Sequence, residues 1–168
     1  MKTSRISLIA SNTPKLAQMR AQNLLRQAQV RVTDARLQVL NVLLETHSAL
    51  SHLEIQDALP QLDRVTLYRA LDCLTEVGLA HKIPGDDRVF RYSTGNEPQS
   101  EHATRGVQHQ HAHFKCSLCA RIFCLDGEQA ASSLKDQLSD TLQTTLAKGF
   151  KNHDIELTIK GWCADCSK

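Results

Sequence analysis

The chain has 168 residues, a net charge of +2, and a composition that is 41% hydrophobic but only 4% aromatic. That length allows one or two small domains with a core built mainly from Leu, Val, Ile and Ala, and no apolar run is long enough to span a bilayer. Six cysteines and eight histidines are many for this length. Without a signal-peptide pattern the expected compartment is the reducing cytoplasm, where paired cysteines mean metal or redox chemistry before disulfides.

The charge is unevenly spread. Lys2, Arg5, Lys15, Arg20, Arg26, Arg31 and Arg36 face only Asp34 in residues 1–36. Residues 1–15 read as a flexible basic leader that is either solvated or follows a phosphate backbone. Leu16 to Gln29 is predicted helical, with Leu16, Met19, Leu24 and Leu25 as its apolar face. Thr33 is positioned to cap a second helix carrying Leu37, Leu40, Leu43 and Leu44. Ser51-His52-Leu53-Glu54 is a capping box that opens a third helix, stopped near Pro60. Asp63 is placed to cap a fourth, Arg64 to Val77, with Leu67, Leu71 and Leu74 inward and Gly78 ending it. Leu79 to Ile83 and Arg88 to Tyr92 then read as a hairpin around Pro84-Gly85-Asp86-Asp87.

Helices followed by a hairpin is the order of a winged helix-turn-helix, which inserts the helix before the wing into the major groove of double-stranded DNA. On that helix Thr66, Tyr68 and Arg69 lie opposite the leucines and are free to reach DNA. This predicts a winged-helix domain over residues 16–93. Residues 94–107 are nearly devoid of apolar side chains and read as a hinge or linker. Residues 108–168 form a second domain. Two strands (111–115 and 121–125), a long helix (128–148) with Leu134, Leu138, Leu142 and Leu146 on one stripe, and a strand (154–160) alternating Ile155, Leu157 and Ile159 are expected there. The overall class is α+β.

The second domain carries the chemistry. Cys116-x-x-Cys119 and Cys163-x-x-Cys166 supply the four thiolates of a tetrahedral structural zinc site. The pairs stand far apart in sequence, so the ion would close a domain rather than a small ribbon. Trp162, beside the second pair, reads as a packing residue. His109, His111 and His113 alternate, so on a strand they share one face and suggest a second, more exchangeable site. No His-Glu-x-x-His run occurs, and four thiolates leave no open position, so a zinc enzyme is not expected.

Three blocks together resemble the ferric uptake regulator family of bacterial metal-dependent repressors. They are Val32-Thr33-Asp34-Ala35-Arg36 with Leu40 to Leu43, then Val65-Thr66-Leu67-Tyr68-Arg69-Ala70-Leu71 running on to Gly78-Leu79, and last the His-x-His-x-x-Cys-x-x-Cys run with the late Cys-x-x-Cys. The resemblance covers about residues 16–168. It implies a homodimer with an N-terminal DNA-binding domain, a small C-terminal α/β dimerisation domain holding the four-cysteine zinc, and a regulatory metal at the hinge. It further implies that Tyr68 and Arg69 face the major groove, that Arg31 probes the minor groove, and that the operator is a pseudo-palindrome. His111 and His113 fall on sensor-ligand positions.

Four departures from the pattern matter. Gln110 and Ala112 replace two ligands of an accessory site, although His153 stands at another of its positions. Cys124 replaces the acidic ligand after the first Cys pair. The histidine before the third helix falls near Ala49, between His47 and His52. Ala120 stands in place of a glycine. The expected sensor set is therefore His81, His111, His113 and Cys124, with His47, His52 and His102 as rivals to His81. Imidazoles with a thiolate suit Zn2+ better than Fe2+, so zinc sensing is expected. Iron sensing, or a thiol- or peroxide-responsive regulator using Cys124, are the alternatives.

Overall fold

A computed structural model of the chain describes residues 14–94, 112–125 and 157–168, together with Thr141 and Thr144. The predicted leader up to residue 13, the linker from residue 95, His102, His109, His111, His153 and most of the predicted 128–148 helix lie outside the described residues. Thr141 and Thr144, within that helix, have helical backbone.

Four helices come first: α1 (Pro14–Gln27), α2 (Asp34–Glu45), α3 (His52–Ala58) and α4 (Arg64–Glu76). Their starts follow from local chemistry. Thr33 Oγ1 accepts the Arg36 N–H at 3.4 Å. Ser51 and Glu54 form the full box, with Ser51 N–H donating to Glu54 Oε2 at 2.7 Å and Glu54 N–H to Ser51 Oγ at 3.3 Å. Asp63 Oδ1 accepts the Thr66 N–H at 2.9 Å, and hydrogen bonds from Thr66 hold the Asp63 carboxyl below the usual carboxylate range. The α4 helix ends in a Schellman motif: Leu79 N–H bonds the Leu74 carbonyl and Gly78 N–H that of Thr75. Gly78 supplies the required φ of 75°.

That motif corrects the start of the hairpin. Leu79 and Ala80 both spend their N–H groups on the Leu74 carbonyl, so β2 begins at His81 and spans His81–Pro84. Arg88 is left-handed at φ 61° and belongs to the turn, so β3 is Phe90–Ser93. The turn is closed by a bond from Gly85 N–H to the Val89 carbonyl and by the Arg91–Asp87 ion pair at 2.7 Å. A two-residue strand that sequence patterning did not anticipate, β1 (Leu50–Ser51), completes an antiparallel sheet in the order β1-β3-β2.

The helices close on one core containing Ala21, Leu25, Val39, Leu40, Leu43, Ile55, Leu67, Leu71 and Leu74. Only half of the predicted α1 face takes part. Leu25 is buried and Leu24 packs against the core, joined by Ala21, whereas Leu16 and Met19 are 69% and 54% exposed, because the first turns of α1 extend past the core. Leu71 is fully buried. Leu71→Ala is expected to cost about 2–5 kcal/mol, read as a lower denaturant midpoint for helix signal.

The second sheet has the order β5-β4-β6, from β4 (Ala112–Cys116), β5 (Ile122–Leu125) and β6 (Leu157–Gly161). β4 pairs antiparallel with β5 and parallel with β6, and β5 carries the chain back to the end of the sheet where β6 begins, since Leu125 and Leu157 both stand beside Ala112. β6 is thus an edge strand. On its expected inward face Leu157 is half-buried and Ile159 is 45% exposed. The two sheets touch: Ala49 N–H, just before β1, donates to the Ile122 carbonyl of β5 at 2.7 Å, and Ala49, Ile83, Ile122 and Cys124 bury one another.

Candidate metal centres

Two groups of potential metal ligands occur among the described residues. The first is Cys116, Cys119, Cys163 and Cys166, whose sulfurs all lie within 4.8 Å of one another. Parallel pairing makes the group. Cys116 ends β4 opposite Gly161, the last residue of β6, and Ser117 N–H bonds the Gly161 carbonyl at 2.8 Å. Each Cys-x-x-Cys then folds into a tight turn, with Ala120 N–H bonding the Cys116 carbonyl and Cys166 N–H that of Cys163. Ala120 is left-handed at φ 59°. For an L-residue this conformation costs about 1–2 kcal/mol, which is the physical meaning of an alanine where a glycine was expected.

The four sulfurs are free thiols rather than disulfides. Cys119 and Cys163 sulfurs stand 3.8 Å apart. A tetrahedron with Zn–S bonds of about 2.3 Å has sulfur–sulfur edges of roughly 3.8 Å, so the donor set fits a tetrathiolate zinc ion in number, type and spacing. Backbone N–H groups of Cys119 and Cys163 hold the Cys116 thiol down at about 6. The neighbouring Cys163 thiol and burial push Cys166 up to about 12. Arg121 lies across the exposed side of the group. Its Nε donates to Cys119 Sγ at 3.3 Å, and one terminal nitrogen to Cys163 Sγ at 3.4 Å and to Asp165 Oδ2 at 2.5 Å. Trp162 does not pack as expected and is 66% exposed.

The second group joins the two sheets. His81 is the first residue of β2, His113 lies on β4 and Cys124 on β5, where His113 and Cys124 are register partners. Their ligating atoms lie within 4.8 Å of one another. His81 Nε2 is 3.0 Å from Cys124 Sγ, and the His81 and His113 rings are 6.0 Å apart at their centroids. His113 and Cys124 are buried, and His81 is half-buried. Two imidazoles and a thiol make a donor set suited to zinc. His111 lies outside the described residues. Of the rivals to His81, His47 is exposed and His52 packs on the Tyr68 ring at 5.3 Å; neither belongs to the group.

Beside this group the wing turn meets the second sheet. Asp86 pairs with Lys115 at 2.5 Å and with Lys160 at 3.7 Å, and these cations hold its carboxyl below the usual range. Neither this contact nor the placement of Arg121 was foreseen from sequence. A basic residue two positions after Cys119 was the only available signal.

On α4, Leu67, Leu71 and Leu74 are buried, while Arg69 is exposed and Thr66 and Tyr68 are half-buried. The Tyr68 ring lies against the His52 ring, and the Arg64 guanidinium carbon stands 5.7 Å from its centroid. Arg31 is exposed in the loop between α1 and α2, and its carbonyl accepts from the Arg36 guanidinium at 2.8 Å.

Comparison with known proteins agrees with this architecture. The zinc uptake regulation protein of Escherichia coli (strain K12) is 29% identical over 150 residues, covering 87% of this chain and 78% of that protein. The ferric uptake regulation protein of Bacillus subtilis (strain 168) is 27% identical over 152 residues, covering 85% and 89%. A solved zinc uptake regulator, complexed with zinc and DNA, superposes with a TM-score of 0.62 at 24% identity, over 94% of this chain and 97% of that one. The model of the ferric uptake regulator family matches residues 27–160. The chain therefore belongs to the ferric uptake regulator family, whose members are metal-responsive transcriptional regulators and not enzymes.

Proposed function

We propose that this regulator is a zinc-sensing repressor of metal-homeostasis genes, acting as a cytoplasmic homodimer on a pseudo-palindromic operator. The observation that carries the reading is the approach of His81, on the wing hairpin, to His113 and Cys124 on the second sheet, within 4.8 Å. Ligands drawn from both sheets can couple metal occupancy to the position of the winged helix. A sensor built within one sheet could not.

In this reading Cys116, Cys119, Cys163 and Cys166 hold a structural Zn2+, and His81, His113 and Cys124 hold a regulatory Zn2+, with His111 as the fourth ligand. The regulatory ion, when bound, supplies coordination that rewards the arrangement in which its donors stand together. Within the chain, His81 is the coupling residue. Any motion of the wing away from β5 lengthens its 3.0 Å approach to Cys124. Occupancy changes DNA affinity only if the closed arrangement binds the ion more tightly than the open one. The exposed edge and apolar face of β6, with Ile159 outward, support the dimer. A two-fold dimer reads a two-fold site. The exposure of Arg69 and Arg31, and the Tyr68 ring braced by His52, support DNA contact through α4 and the loop before α2. The winged helix is residues 16–93 in this division, residues 94–107 the hinge, and residues 108–168 the dimerisation domain.

The test is an anaerobic titration of metal-stripped protein, with structural zinc retained, against DNA from its own upstream region. Zinc, at lower free concentration than ferrous iron, is expected to switch on binding. Binding driven by ferrous iron and not by zinc would replace the zinc reading with the iron-sensing one. Tyr68→Ala is expected to weaken operator binding by about 1–3 kcal/mol, roughly 5- to 150-fold, leaving zinc content and dimer mass unchanged. Loss of the dimer in that variant would show that α4 is not the reading helix.

A further inference from the structure

We propose that Arg121 is a positioning residue that caps the four-cysteine centre, covering its exposed sulfur and strapping its two turns together so that the metal is retained. The proposal rests on the reading of that centre as a zinc site. A divalent ion with four thiolates carries two net negative charges, and Cys119 is the exposed member of the group. A negative cluster open to solvent on one side is vulnerable there, because competing ligands and electrophiles approach the exposed sulfur first.

Arg121 occupies that side. It follows the left-handed Ala120, and its carbonyl accepts the Cys116 N–H at 2.9 Å, so its backbone is fixed to the first turn. Its guanidinium then spans both turns, reaching Cys119 Sγ at 3.3 Å in the first, and Cys163 Sγ at 3.4 Å and the Asp165 carboxylate at 2.5 Å in the second. Asp165 lies inside the second Cys-x-x-Cys, so it anchors the guanidinium to the same turn whose sulfurs it serves. The Phe123 ring centroid lies 5.8 Å from the guanidinium carbon. A planar, permanently charged fork can meet two sulfurs and a carboxylate at once, whereas a lysine offers one point charge. Arg121 therefore offsets the charge of the cluster and ties its halves together without being a ligand.

The test uses the zinc-loaded, full-length protein with an excess of a colorimetric chelator. Arg121→Met keeps the length and removes the charge. It is expected to release the structural zinc roughly 10- to 100-fold faster, the range typical when an outer partner of metal ligands is lost. It is also expected to expose Cys119 to alkylation by iodoacetamide while still loading the same number of zinc ions per subunit. Arg121→Lys should fall between the two. Asp165→Asn, which leaves the guanidinium in place but unanchored, should accelerate release by less than Arg121→Met, and it keeps the test open if Arg121→Met does not fold. Release and alkylation rates unchanged in both Arg121→Met and Asp165→Asn would overturn the capping role. Failure of the parent reading looks different: Cys119→Ser would then retain as much zinc as the unaltered protein.

Discussion

Cys116→Ser is expected to strip the structural zinc and, with it, the fold of the second sheet. Cys116 is fully buried and ends β4, and its sulfur accepts the Cys163 N–H at 3.4 Å. Removing it therefore breaks both the donor set and the junction with the chain after β6. Structural zinc contributes apparent binding free energies of about 10–16 kcal/mol in small domains, and that energy is linked to folding. With one thiolate gone, the variant should contain one fewer zinc per subunit, lose the dimer in sedimentation, and melt well below the unaltered protein. A metal-free Cys116→Ser dimer with unchanged circular dichroism would refute the assignment. The pH dependence has a definite sign. The Cys116 thiol is held down at about 6, below the ordinary thiol value, so its thiolate contribution is present at higher pH and is lost as pH falls through about 6. With the ion bound all four sulfurs are thiolates, so zinc retention should weaken as pH falls and protons compete with the ion for them.

The second large effect belongs to the junction of the sheets. His81→Ala, at a half-buried position, should leave the four-cysteine zinc and the dimer intact yet make operator affinity insensitive to added zinc. A coupling of about 1–3 kcal/mol per site is typical. Two sites per dimer then amount to about 2–6 kcal/mol, or between one and a half and four orders of magnitude in affinity. Cys124→Ser, which preserves volume, should behave alike. Gel shifts with and without zinc give the answer, and unchanged zinc dependence in both variants would remove the sensor from this location.

The fold was legible wherever the signal is local. Thr33, Ser51 with Glu54, Asp63 and Gly78 each mark a helix end through the residue's own hydrogen-bonding or conformational habit. Those four marks placed α2, α3 and α4 within a residue or so. The cysteine pairs were legible for the same reason, since a Cys-x-x-Cys turn is a local object. What escaped is non-local. Leu50–Ser51 becomes a strand only because Tyr92 and Arg91 lie beside it. Leu16 and Met19 match helical periodicity, but nothing in α1 itself says where the core stops. The proximity of His81 to Cys124 was expected only through family resemblance, because residues 43 positions apart share no periodicity. Asp86 lies in a stretch that reads as an ordinary polar turn and Arg121 at the start of a predicted strand, and the importance of both lies in what the tertiary fold sets against them.

The pairing at Asp86 has a consequence for the energetics of opening. Lys115 and Lys160 are register neighbours on adjacent strands, an arrangement of like charges that is unfavourable when nothing intervenes. The wing's aspartate is their shared counter-ion. Lifting the wing would leave two ammonium groups confronting each other on the sheet, so the contact between wing and second sheet carries an electrostatic spring besides any ion held there. Mobile ions weaken such a spring, and the resting balance between the open and closed shapes should accordingly drift towards open as ionic strength rises.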